Sequence, residues 1–206
     1  LCVGYEPTAG DLAAIAQICT AVDGMPLAIL LAAAWLPVLT PSAIAHQLVD
    51  ELAQDGHGID FLAAEWADLP ERQRSMRTVL DQAWRLLPAV EQQVLAALAV
   101  FRGGFTHHAA NAVVGATLRQ LRSLVEKSWL HRRADQRYEL HELLRQYAGE
   151  QQQQLRSLAL LVHDRHCAYF AVALERWATE LRGEHQLDAL RELEAELDNV
   201  RNAWQW

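Results

Sequence analysis

Of the nine histidines, His141 holds the position from which an imidazole could do most. It follows Arg137-Tyr138-Glu139-Leu140, where Tyr138 and Leu140 alternate with polar residues as in a short half-buried strand. From Leu140 onward, Leu143, Leu144, Tyr147 and Ala148 recur at helical intervals. A strand therefore feeds directly into a helix, with His141 on the seam. Either ring nitrogen can bond there beside first-turn amides, a setting that favours anions. The same place also suits a capping or core-edge histidine, and spacing alone favours that plainer role.

A second group is basic. Arg119, Arg122, Lys127, Arg132, Arg133 and Arg137 gather in one stretch of an otherwise acidic chain, as residues that meet phosphates do. Arg122 and Glu126 are four apart and can pair on a helix, and Glu126 would confront a phosphate. Specific DNA binding by this segment is therefore one alternative reading, and a protein-interaction scaffold without nucleotide is the other. A third group, His163, His166 and Cys167 around Asp164, shares one helix face. Structural zinc needs a fourth ligand, and no neighbouring C-x-x-C or H-x-x-x-H supplies it, so no metal is expected. His107-His108 is a weaker candidate still. No Ser/His/Asp or Cys/His set has a recognisable local setting. No G-x-x-x-x-G-K-[ST] loop occurs, nor a strand ending in paired acids to hold magnesium. The chain alone is therefore not expected to be an enzyme.

These residues need elements to position them. Residues 9–23 read as a helix with Leu12, Ile15, Ala16, Ile18 and Cys19 inward, ended by Asp23-Gly24. Pro26 opens a second helix, apolar all round and so expected to be buried, and Thr40-Pro41-Ser42 caps a third, carrying Ile44, Leu48 and Leu52. Gly56, Gly58 and Pro70 mark a linker over residues 55–70. Helices follow over residues 75–87, 91–100, 106–115 and 117–128, the last with Leu118, Leu121, Leu124 and Val125 inward. Gly103-Gly104 makes a tight reversal between them, and Thr106 can cap the next helix. Residues 129–131 and 137–140 flank a small hairpin. A long helix then runs to about Arg182, with Gly183 as its stop, and a last helix repeats Leu190, Leu193, Leu197, Val200 and Trp204 at alternating steps of three and four.

With the elements in order, several segments resemble motifs of one family, the NB-ARC/AP-ATPase branch of the STAND signalling ATPases, in its bacterial transcriptional-regulator form. Leu140-His141-Glu142 resembles the MHD motif, with Leu140 for methionine and Glu142 for aspartate. Gly24-Met25-Pro26-Leu27-Ala28 resembles the GLPLA motif. Leu69 to Arg77, the turn Phe101-Arg102-Gly103-Gly104-Phe105 and the segment Glu194 to Ala203 are similar to further family stretches. The resemblance implies that His141 contacts the β-phosphate of ADP, and that Gly24, Pro26 and Leu27 lie at the nucleotide, the proline against adenine. It implies ADP or ATP only in the full-length protein, with an upstream P-loop domain, downstream helical repeats and a homo-oligomer in the active state. It also implies three parts: a helical subdomain over residues 1–66, a winged helix over 67–149 and the start of a tetratricopeptide-like sensor region over 150–206.

The fold class expected is mainly all-α, with one small β-hairpin. The chain has 206 residues, 51% of them hydrophobic and 21% charged, and a net charge of −8, so its surface as a whole is no polyanion trap. It starts without methionine and reads as an excerpt of a longer protein. No apolar run suffices for a membrane span. Cys2, Cys19 and Cys167, odd in number and far apart, suggest reduced thiols and a cytoplasmic setting.

Overall fold

The computed structural model describes residues 8–36, 38–53, 61–62, 75–153 and 156–206. The expected linker signals at Gly56, Gly58 and Pro70, Cys2, the residue 66/67 boundary and most of the 69–77 stretch lie outside them. The order is α1 (Ala9–Ala21), α2 (Pro26–Ala33), α3 (Pro41–Ala53), α4 (Met76–Arg85), α5 (Ala89–Leu98), α6 (His107–Val114) and α7 (Leu118–Glu126). Then come β1 (His131–Arg132), β2 (Tyr138–Glu139), α8 (Glu142–Gln153), α9 (Arg156–Glu180), α10 (Gln186–Ala195) and α11 (Leu197–Gln205). Among the described residues the fold is mainly helical with one two-stranded hairpin, as the sequence predicts. Among the described residues no helix is long and apolar enough to cross a membrane.

The chain forms two compact units, one of residues 1–87 with 142–147, the other of residues 88–141 with 148–206. In the first, α1 packs along α3, and Ile18, Val22, Leu31, Ile44, Leu48 and Leu80 are buried. Thr8 caps α1 in a reciprocal pair with Asp11, and Asp23-Gly24, both at positive φ, end it. The inward face of α1 is Ala14, Ile18 and Val22; Leu12 and Ile15, expected inside, are exposed. Similarly, α2 buries only Ala28, Leu31 and Ala32, while Pro26 is exposed, so it is not the all-round buried helix its composition suggests. Trp35 stacks on Phe61 with ring centroids 5.3 Å apart and donates to its carbonyl. From the middle of α8, Tyr147 donates to Asp81 at 2.7 Å and meets Trp84 edge-on.

In the second unit, α5, α6 and α7 precede the hairpin. Thr106 caps α6 as expected, Gly115 closes it at φ 77°, and Thr117 with Gln120 forms a capping box on α7. The hairpin pairs His131 with Glu139 and Arg132 with Tyr138, and Phe105 bridges to Tyr138 from the other side. Phe101, Phe105 and Tyr138 form a run of ring contacts through the core. Leu121 and Leu124 are buried, but Leu118 is exposed.

The last segment departs most from expectation. The sequence predicts one helix beyond Gly183; the chain instead bends at Glu196 (φ −107°, ψ 5°) between α10 and α11. Of the apolar series, Leu190, Leu197 and Trp204 face outward, Trp204 being 88% exposed, while Leu193 and Val200 are half-buried. Ala189, Glu196 and Asn199 are buried in its place. The reason is hydrogen bonding: Asn199, with Asn202, satisfies backbone groups of the Val100–Gly104 turn, and Glu196 accepts from the Arg137 and Asn199 side chains, which leucines could not do.

Candidate functional site

His141 lies between β2 and α8, at the residue before the first helical turn, and is half-buried. The strand-to-helix seam expected from the spacing is thus present. On the next turn Glu142 accepts two bonds from the buried Arg145 at 2.7 and 2.6 Å, and one from Gln146 at 3.2 Å. Gln146 also donates to the Leu52 carbonyl at 2.9 Å. Glu142 therefore organises the first turn of its own helix, a local role that a carboxylate one methylene longer than aspartate can reach.

Gly24, Pro26 and Leu27 sit together on the α1–α2 turn of the first unit. Gly24 adopts φ 67°, its N–H bonds the Cys19 carbonyl at 2.8 Å, and Pro26 occupies the first position of α2. Gly24 and Pro26 are exposed and Leu27 is half-exposed, so this turn offers its surface to solvent. His141 belongs to the second unit and these three to the first.

The basic residues of the hairpin unit are mostly committed to carboxylates. Arg122 pairs with Glu126 at 2.7 Å, as their spacing predicts, on an exposed face. Lys127 meets Glu91 at 2.5 Å, and Ser123 donates to the same carboxylate at 2.9 Å. Burial works to raise the Glu91 pKa, but the bonds from Lys127 and Ser123 outweigh it and hold it below the usual range. Arg133 lies 3.6 Å from both Asp135 and Glu139. Arg119 is exposed with no carboxylate among the described residues, and Arg132 bonds the neutral Gln136.

Arg137 is not a surface cation at all. It binds Glu196 at 2.6 Å, with both side chains about nine-tenths buried (11% and 10% exposed), and donates to the Gly104 carbonyl at 3.1 Å. Burial opposes its charge, but Glu196 more than compensates and raises its pKa. The three candidate metal ligands have separate engagements. His166 is fully buried against Phe101 and Phe170, His163 stacks on Trp206, and Cys167 donates to the Ala203 carbonyl. Among the described residues no cluster of three or more His, Cys, Asp or Glu could hold a metal ion.

Sequence reasoning missed Glu196, Asn199 and Asn202. Asn199 accepts from the Arg102 N–H at 2.7 Å and donates to the Gly104 carbonyl at 2.8 Å and to Glu196 at 2.7 Å. Asn202 donates to the Val100 carbonyl at 2.8 Å. Their signal is the three-residue spacing of polar side chains that compete poorly for helix interiors unless bonded elsewhere.

No protein-family model and no solved structure matches the chain. An uncharacterized protein of Mycobacterium tuberculosis is 32% identical over 148 residues, covering 66% of this chain and 36% of that protein. Proteins of Mycobacterium tuberculosis and Mycobacterium bovis, each named "Putative HTH-type transcriptional regulator", are 33% identical over 213 residues, covering 98% of this chain. The chain spans about a quarter (23%) of their length. Along nearly its whole length, the chain is thus similar to one part of a bacterial transcriptional-regulator type of protein.

Proposed function

We propose that this chain is the regulatory middle of a nucleotide-dependent switch of the NB-ARC/STAND type, within a bacterial transcriptional regulator. In this reading residues 1–66, 67–149 and 150–206 are a helical subdomain, a winged helix and the start of a tetratricopeptide-like sensor region. They couple the ADP or ATP state of an upstream P-loop domain to downstream helical repeats of the same cytoplasmic protein. The active state is a homo-oligomer, hydrolysis belongs to the intact protein, and this segment holds no metal. The observation that carries the reading is His141, half-buried on the seam before α8. The Gly24-Met25-Pro26-Leu27 turn, with Gly24 and Pro26 exposed, supports it, and the names of the relatives support its transcriptional-regulator part alone.

In the intact protein His141 bonds the β-phosphate of ADP. A hydrogen bond to a charged group is worth about 1.5–3 kcal/mol, or roughly ten- to more than a hundredfold in a linked equilibrium. His141→Ala in the intact protein should therefore speed ADP release by about that factor and raise activity without inducer. Arg119→Ala should not. An unaltered off-rate with a lowered melting temperature would reject the reading and leave His141 a structural histidine.

A second reading, a winged-helix DNA-binding module, is favoured by the exposure of Arg119 on α7 and Arg132 on β1, neither facing a carboxylate. The names of the relatives point the same way. In that case Arg119, Arg122, Lys127, Arg132 and Arg133 would meet the duplex.

A further inference from the structure

The attachment of α10 and α11 to the rest of their unit is unusual in what it lacks. Over residues 186–206, Ala189 is the one apolar side chain fully withdrawn from water. Leu193, Val200 and Ala203 are only half-buried, so the apolar burial of the segment is modest. The strong contacts are polar and converge on one turn and one wing residue. Asn199 and Asn202 bind backbone groups of Val100, Arg102 and Gly104, and Glu196 binds Arg137, which itself holds the Gly104 carbonyl. The approach is close: a Cβ on Gly103 would come within 3.1 Å of the Asp198 carboxylate. Toward α9, α10 and α11 make mainly half-exposed contacts, such as Trp177 to Glu192, Cys167 to Ala203 and Trp206 to Asp164.

Contacts of this kind hold differently from an apolar interface. A buried ion pair gives up much of its Coulombic gain to desolvation, yet loses nearly everything if one partner goes. Polar bonds tolerate little displacement, so a set sharing one short helix forms or breaks together. We propose that Arg137, Glu196 and Asn199 form a releasable polar latch, through which the α10–α11 segment docks on the Gly103-Gly104 turn and the wing, and undocks as a unit. The device would let the position of this segment report on, or act on, the hairpin. It stands apart from the nucleotide reading, which uses none of these three residues.

Hydrogen exchange on the full 206-residue chain tests the latch. Under mild denaturant the α10–α11 amides should open as one group, at a lower free energy than those of α5, α6 and α7. Opening of all these helices at the same free energy would overturn the proposal, and this measurement needs no variant. Glu196→Gln keeps the size of the side chain and removes the charge. It should speed α10–α11 exchange about ten- to a hundredfold, with α5–α7 protection as in the parent chain. Asn199→Ala should give the same pattern. The exchanged pair Arg137→Glu with Glu196→Arg should recover part of the protection that either single change loses. Unchanged α10–α11 exchange, or loss of protection spread evenly over the unit, would show the three residues to be ordinary members of its packing.

Discussion

His166 occupies a core position with an ionisable ring. It fills one step of the Val162, His166, Phe170 and Trp177 series along α9, all buried. Phe101 and Phe170 flank it at 5.3 and 4.8 Å, and neither ring nitrogen finds a hydrogen-bond partner. Burial pushes its pKa from 6.5 down to about 4. Unfolding therefore takes up a proton anywhere between those values. The stability that His166 contributes is complete above pH 6.5 and is lost as pH falls toward 4, by up to about 3 kcal/mol. His163, also shifted down by burial, acts in the same direction. Urea midpoints between pH 7 and pH 5 should fall steeply for the parent chain, and less so for His166→Phe; equal slopes would contradict a neutral buried imidazole. Gly104 carries a second residue-level expectation. At φ 92°, with a Cβ only 3.0 Å from the Tyr138 carbonyl oxygen, Gly104→Ala meets both strain and backbone. It should cost more than about 1 kcal/mol by thermal melting, whereas Gly115→Ala, equally left-handed but with open space around it, should cost less.

Among the elements, α7 shows how much local sequence can decide. The reciprocal Thr117–Gln120 box fixes its start, and Thr117→Ala should lower stability by about 1 kcal/mol, measured by the shift in urea midpoint. Caps and left-handed glycines of this kind are local, which is why most helix limits could be read from Thr106, Gly115 and Gly183 within a residue or two. Faces were less legible. On α1, apolar residues occur almost all round, so periodicity could not choose between Leu12 with Ile15 and Ala14 with Ile18. On α10 and α11 the periodicity was strong but misleading, because the buried side answers to backbone groups nearly a hundred residues away in sequence. The bend at Glu196 follows from the same bonds. The seam at His141 was legible because two periodicities meet there, whereas the conversion of Arg137 from candidate phosphate contact to buried partner of Glu196 was not, since the pair spans 59 positions.

For the molecule as a whole, the question is how much positive charge remains to meet a polyanion. The chain carries −8 overall, and its basic stretch is largely neutralised from within. Arg122, Lys127, Arg133 and Arg137 each face a carboxylate, so a phosphate would have to displace Glu126, Glu91, Asp135 and Glu139, or Glu196. For Arg122, 80% exposed, that displacement costs little, because surface pairs are worth about 0–1 kcal/mol. For Arg137 it would strand a buried acid. Arg119 and Arg132 meet no carboxylate among the described residues and can engage phosphate directly. Each phosphate neutralised on duplex DNA contributes about −0.9 to the slope of log affinity against log salt. Two such contacts give a slope of roughly −2, whereas all of the basic residues together would give about −5. Anisotropy titrations of a random duplex at several salt concentrations should return the shallow slope, with weak and sequence-indifferent binding. Arg119→Ala should flatten it by about one unit, and Arg137→Ala should leave it unchanged while loosening α10–α11. A slope near −5, or marked preference for one duplex at physiological salt, would mean that the carboxylate partners give way to phosphate and that the DNA-binding reading is the better one.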